Sequence, residues 1–308
     1  MTDQPDIFDR ALLRRRKARA AGAMDKHAFL LEHAAADLAG RLSIFQRSFD
    51  VGLDLGAHGT VLAELLIQTG KIGRLFRASM VPELCGPPDG ASLLCDEEAL
   101  PLAPASFDLI VSALCLQLVN DLPGTLLQIR TALKPDGLFL AAMLGGRSLE
   151  QLRTAFAKAE VETTGGLSPR IAPFADVREL GQLLQRAGFA LPVADADVLD
   201  VTYVSAFGLM QDLKGMGAGN VLRDRHKVPL RRSTLGAAIS IYDREFGQDG
   251  RVSATFEIVT LTGWAPHASQ QQPLRPGSAK GSLKAALGGG EGQISGVEQA
   301  SSGPLRRR

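Results

Sequence analysis

The residues best placed to do chemistry lie in VGLDLGAHGTVLAELL, residues 51–66. An acid, Asp54, closes an apolar run, Gly56 follows two residues later, and a helical pattern begins after Thr60. Glycine lets a backbone approach a ligand closely, and the first turn of a helix offers free N–H groups. Together they make a cradle for a nucleotide-like ligand. The dinucleotide pattern GxGxxG is absent: Gly56 and Gly59 are spaced GxxG, and no Walker lysine follows. Alone, Asp54-x-Gly56 serves a structural turn as readily as a ligand loop. A second acid, Asp96, follows the apolar run ASLLC. The spacing suits a ligand with an amino-acid portion over Asp54 and an adenine beside Asp96, whose carboxylate can accept the exocyclic amine. The alternative for Asp96 is an ordinary polar loop residue.

Other chemistries are poorly supplied. The five histidines, His27, His33, His58, His226 and His267, are scattered, with no facial-triad spacing, so no metal site is expected. Cys85, Cys95 and Cys115 are odd in number and lack CxxC spacing, which speaks against a zinc site or a disulfide framework and for a reducing compartment. Cys115 sits in an apolar run and reads as inert core. His58 could contact a ligand carboxylate or simply occupy the turn. Gln117 could position a substrate or be a solvated strand end. Trp264 and His267 read as a packed turn.

The elements that must carry these residues alternate. VGLDL, GRLFRAS, ASLLC, FDLIVSALCL and LFLAAML read as strands. Between them lie helical stretches: TVLAELLIQTG, closed by Gly70, and DLPGTLLQIRTAL, capped by Asp121 with Pro123 in its first turn. KPDG reads as a turn. SLEQLRTAFAKAEVE is a helix that Ser148 could cap, and ADVRELGQLLQRAGF is one closed by Gly188. VLDVTYVSA and VSATFEIVTLTGW read as late strands forming an antiparallel edge, with two helices, FGLMQDLKGMGAGNVL and STLGAAISIYDREF, between them. Such alternation predicts an α/β fold with a mostly parallel sheet covered on both faces. Residues 7–45 are helical in pattern. In the run RALLRRRKARA the cations read as a solvated face, with docking of an acidic partner as the sharper alternative. The segment 267–308 turns to Gln, Pro, Gly and Ser and is expected to be largely disordered.

The 308 residues carry 34 Lys and Arg against 33 Asp and Glu, which excludes a strongly basic nucleic-acid binder. No apolar run is long enough to span a bilayer. The opening MTDQPDIFDR is too acidic for a signal or transit peptide, so a cytoplasmic protein is expected.

IFDRALLRRRKARAA, LDLGAHG, DEEALPLAPASFDLIVSALCLQLVNDLPGTLLQIRTALKPDGLFLAAMLGG, SLEQLR and GWAPHASQQQPLRPGSA resemble the class I S-adenosylmethionine-dependent methyltransferases. Within these the chain is most similar to the methyltransferase-fold complex I assembly factors, a family that includes mitochondrial arginine hydroxylases and bacterial homologues. The resemblance implies a Rossmann-like, doubly wound, mostly parallel seven-stranded sheet with an antiparallel edge strand. It implies an N-terminal helical lid or docking segment over 1–50, a methyltransferase domain over 51–266 and a helical insertion at about 206–246.

It also implies S-adenosyl-L-methionine as cofactor. Asp54, Gly56, Ala57 and His58 would line its methionine part, and Asp96 and Glu97 its adenine. Ala113, Leu114 and Leu116 would form a wall below the sulfonium. Three departures stand out. His58 and Thr60 replace the usual second and third glycines. Strand two lacks its usual closing acid, leaving Ser79, or Glu83 if the loop folds back, to meet the ribose hydroxyls. Gln117-Leu118 replaces a His-Trp pair.

Methyl transfer needs alignment and water exclusion rather than a nucleophilic residue, so the sequence assigns no catalytic residue. By resemblance, the protein acts on an arginine of a complex I subunit by hydroxylation or methylation. The alternatives are a malonyl-acyl carrier protein O-methyltransferase of biotin synthesis and a non-catalytic assembly factor with a degenerate pocket. The implied partner is accordingly a complex I subunit or an acyl carrier protein.

Overall fold

A computed structural model describes residues 6–86, 92–270 and 305–306. Its sheet has nine strands, two of them only two residues long, Gly247–Gln248 and Leu305–Arg306. The others are β1 (Phe49–Leu55), β2 (Ile72–Ser79), β3 (Ser92–Leu94), β4 (Phe107–Ala113), β5 (Leu133–Leu144), β6 (Ala190–Tyr203) and β7 (Arg251–Trp264). They lie in the order β3-β2-β1-β4-β5-β7-β6, and only β7 runs against the rest. The chain reverses its direction of growth between β1 and β4, which opens a crevice at their carboxyl ends.

Strand alternation divides the core. Leu138, Leu140 and Ala142 of β5 face a cluster with helices α2 (Phe29–Ile44), α3 (Val61–Gln68), α5 (Glu150–Thr164) and α8 (Arg232–Phe246). Phe139, Ala141 and Met143 face the opposite cluster, with α4 (Leu122–Ala132) and α6 (Val177–Arg186). A parallel sheet needs both faces covered, and these strands are apolar on both. Helix α1 (Arg10–Ala20) joins neither cluster. Its Leu13 and Ala20 pack with Met80, Val81, Leu84, Val221 and Leu222 across the carboxyl end of the sheet. The short helix α7 (Ala206–Gly215) and the segment to Leu222 close the same end.

Several expectations are refined. The antiparallel strand β7 lies inside the sheet, because it is buried along most of its length and pairs on both sides, with β5 and with β6. Strand β6, an edge except where Leu305–Arg306 pairs with Val201 and Thr202, begins at Ala190, eight residues before the expected VLDVTY. Its first half carries Pro192, Asp195 and Asp197, residues depleted from strands. An edge tolerates them, with Pro192 at a register shift and Asp195 held by Arg41. Asp121 does cap α4 through Gly124 N–H. Ser148 does not cap α5: its hydroxyl donates to Glu257 O and accepts from Glu257 N, tying the helix start to β7. Helix α7 ends at Gly215, ahead of the left-handed Gly217. Apart from the pair Leu305–Arg306, the segment after Gln270 lies outside the described residues.

Candidate functional site

Asp54 closes β1 in register with Arg77 of β2 and Val111 of β4, which sets it in the crevice between β1 and β4. It is 1% exposed, and its Oδ2 has no hydrogen-bond partner among the described residues. Burial pushes its carboxyl up to about 7, against the lowering effect of Arg77. Gly56 turns left-handed (φ 80°), and its N–H and that of Ala57 both donate to Ala78 O. A Cβ at Gly56 would stand 2.3 Å from Cys115 Sγ, so glycine is required here by the sulfur packed against it.

Cys115 follows β4 and is far from inert in its contacts. Its thiol donates to Glu97 Oε1 at 3.1 Å and receives Lys17 Nζ at 3.7 Å. Burial and the Glu97 charge push it up to about 12, so it is a thiol at neutral pH. Glu97 is 1% exposed. Burial alone would raise its carboxyl, but Lys17 and Arg10 outweigh that and hold it below its ordinary value. Arg10 also bonds Asp96 and reaches Glu98. Two cations of α1 therefore enter the acidic corner after β3. The expectation of a wholly solvated α1 face is corrected: Arg10 and Lys17, two turns apart, share the buried face with Leu13 and Ala20, and Lys17 is itself buried. That spacing is the signal in the sequence, obscured by the cations around it.

The remaining expected residues divide. Ser79 is buried, and its hydroxyl is used by Val81 N–H. Ala113 is core on the α2 face, while Leu116 points into the opposite core and forms no wall of the crevice. Leu114 is left-handed (φ 50°), its N–H on Ala142 O, and lines a small cavity of about 80 Å³ with His58, Gln117, Leu31, Leu144 and Met216. Burial and the nearby Lys17 hold His58 well below the ordinary histidine range, so it is neutral, and its Nδ1 is buried without a partner among the described residues. Gln117 Nε2 donates to Leu114 O at 2.8 Å, which fixes the orientation of the amide, and its Oε1 is then a buried acceptor with no donor among the described residues. Gln117 and Leu144 also line a second cavity, about 260 Å³, between β5, α5 and α7. Its walls are chiefly apolar, from Leu149, Phe156 and Met210 among others. Trp264 packs edge-on to Phe45 and pairs with Leu138 at the far end of β5, away from the crevice. Asn120 bonds the backbone of Phe8, holding the start of α1. Among the described residues no helix is long and apolar enough to cross a membrane.

A charged corner, a left-handed glycine turn and a two-chambered cavity thus meet at the switch point of a β3-β2-β1-β4-β5-β7-β6 sheet. Residues 24–192 match the model of a methyltransferase domain. The mitochondrial arginine hydroxylase NDUFAF5 of Danio rerio is 39% identical over 89% of this chain and 87% of its own, and that of Homo sapiens 41% identical over 89% and 81%. The chain belongs to this methyltransferase-fold family. A malonyl-[acyl-carrier protein] O-methyltransferase of Methylovorus sp. (strain MP688) is 32% identical over 89% of this chain and 95% of its own. The YcgJ protein of Bacillus subtilis shares the fold, with a TM-score of 0.52 at 14% identity, covering 76% of this chain and 99% of that one. The expectation of a cytoplasmic protein is overturned by the arginine hydroxylases of Danio rerio, Homo sapiens and Mus musculus, which are mitochondrial.

Proposed function

We propose that this methyltransferase-superfamily enzyme binds S-adenosyl-L-methionine at the β1–β4 crevice and modifies an arginine side chain of a respiratory complex I subunit during assembly, in the mitochondrial setting of its named relatives. The observation that carries the cofactor assignment is Asp54: a fully buried carboxyl with one oxygen unpartnered, poised near neutrality, which a ligand ammonium would hold in its charged form. The donor set fits. Asp54 would take the amino group, with Gly56, Ala57 and His58 beside it, and Asp96 and Glu97 the adenine side, with Ser79, Ala113 and Leu114 around them. Because Arg10 and Lys17 hold those acids and Cys115 fills the space over Gly56, α1 has to yield contacts as the cofactor enters. When bound, S-adenosylmethionine supplies an electrophilic methyl group on a sulfonium. The chain's own work is to exclude water with α1, α2 and α7 and to seat the acceptor. The apolar chamber takes an aliphatic stem, and Gln117 and His58 line the small chamber beside it.

Two measurements test this. Titration calorimetry with S-adenosylmethionine should give heat that Asp54→Asn removes, and no heat at high micromolar cofactor refutes the binding. A mass spectrum of the partner subunit made with and without this protein should show one arginine heavier by an oxygen atom or by a methylene. An unchanged subunit refutes the modification. The other catalytic reading, malonyl-thioester esterification, draws on Arg170 and Lys214, cations lining the larger chamber, and predicts that deleting the gene causes a biotin requirement.

A further inference from the structure

The apolar chamber adjoins a third cavity, about 450 Å³, lined by Arg16, Arg19, Ala20, Lys214, Gly217, Gly219 and Asn220. Lys214, Gly219 and Asn220 line both cavities, so the two adjoin at those residues. Among the described residues the side chains of Arg16, Arg19 and Lys214 have no hydrogen-bond or salt-bridge partner. Of the arginines nearby, Arg223 is paired with Asp6 and Arg225 with Asp9. The nearby carboxylate, Asp9, is already spent on capping α1 and on Arg225. Partial burial and the like-charged neighbours Arg225 and Arg19 press on Arg16, against the pull of Asp9. Its guanidinium lies against Gly219, where a Cβ would stand 2.5 Å from Nη1. Like charges gathered on one concave surface repel, and nothing in the fold demands them there; an anion would turn that repulsion into attraction.

We infer that Arg16, Arg19 and Lys214 form an anion-binding site beside the apolar chamber that docks acidic side chains flanking the target arginine of the protein substrate. This rests on the arginine-modification reading and names what else in the substrate is recognised. The charge balance argues for a local device, since the whole chain carries a formal charge of only +1. Carboxylates on a peptide segment can reach these cations while the neighbouring residue enters the apolar chamber, because both cavities share Lys214 and Asn220. All three cations are at least partly exposed and unpaired, so replacing them removes repulsion and leaves the core untouched.

The test uses the full-length protein and two fluorescent peptides, each with one central arginine, flanked in one by two glutamates and in the other by two glutamines. The acidic peptide should bind at least ten-fold tighter at low salt, and the advantage should shrink as ionic strength rises. The triple variant Arg16→Gln, Arg19→Gln, Lys214→Gln should keep a melting temperature at or above that of the parent and should no longer distinguish the acidic peptide from the glutamine one. Equal binding of the two peptides by the parent, or a preference retained in the triple variant, overturns the site. So does displacement of the acidic peptide by 4′-phosphopantetheine at concentrations where glutamate does not compete, which would make the occupant a phosphoester. The mass spectrum of the whole subunit separates the two failures. If the parent protein modifies no arginine, the functional reading falls whatever the peptides do. If it does so and the triple variant modifies with the same KM, only the anion site falls.

Discussion

On the β1 side of His58 the protein buries charge, and on the α7 side it buries hydrocarbon. Arg10, Lys17, Asp96, Glu97 and Cys115 form a corner in which every charge has an opposite neighbour. The chambers beyond Gln117 are walled by leucines, Phe156 and Met210, with polar atoms left unanswered. The first region is completed by the chain itself, and breaking it leaves a buried charge exposed to a low dielectric. The second is completed only by something that enters it. Stability should therefore respond to changes in the corner, and acceptor affinity to changes in the chambers.

The largest effect expected is that of Arg10→Ala. It strands Glu97, 1% exposed, with Lys17 as its remaining cation. Breaking one partner of a buried ion pair costs about 3–5 kcal/mol. The loss should appear as a lower urea midpoint at pH 7. An unchanged midpoint would mean the corner is wet and its pairing unimportant.

Gly56→Ala comes next. It adds a left-handed alanine, at about 1–2 kcal/mol, to a collision with Cys115 Sγ and Cβ at 2.3 and 2.5 Å. In a Cys115→Gly background the collision goes and only the backbone part remains. A double-mutant cycle that shows no coupling between the two sites would disprove the contact.

The two sets of carboxyls in the same crevice should titrate in opposite senses. Asp54 is raised from 3.8 to about 7 in the folded chain. The native state thus holds a proton that the unfolded state has lost, and stability falls as pH rises between those values, by on the order of a few kcal/mol. Asp96 and Glu97 are lowered, so their contribution is present above the ordinary carboxylate range and is lost as pH falls through their folded values. Asp54→Asn should abolish the decline between pH 4 and 7 while leaving the acid limb in place. Urea midpoints across that range check it, and a parent curve already flat there would sink the Asp54 assignment.

Much of this was legible in the sequence because local chemistry and burial agreed. Asp54 and Gly56 fall where an acid-closed strand meets a helix, and the alternation of strands and helices predicted a mostly parallel sheet covered on both faces. What was missed was decided by distant contacts. The first half of β6 carries proline and aspartates that only an edge position with Arg41 alongside makes acceptable as strand. Ser148 looked like a cap because nothing in the sequence announces Glu257 beside it. Arg10 and Lys17 were hidden among surface cations, and only the burial of Leu13 and Ala20 shows which face of α1 turns inward. Cys115 and Gly56, 59 positions apart in sequence, are meaningful only as a pair.

The smallest expected effect on stability is the most informative about the chambers. Gln117→Leu removes one hydrogen bond, to Leu114 O, and at the same time removes a buried acceptor that has no donor. These oppose each other, so the net change should stay within about 1 kcal/mol. If Gln117 Oε1 meets an N–H of the acceptor group, its loss should still raise KM for the protein substrate about five- to ten-fold, the equivalent of one ordinary hydrogen bond. The effect on kcat should be smaller, because the contact is already made in the ground state. Steady-state modification of the subunit, followed by mass spectrometry alongside a urea melt of the same variant, reads both quantities. A destabilisation as large as that of Arg10→Ala with KM unchanged would show that Gln117 belongs to the self-completed side of the molecule, and the boundary between the two regions would then have to move past it toward α7.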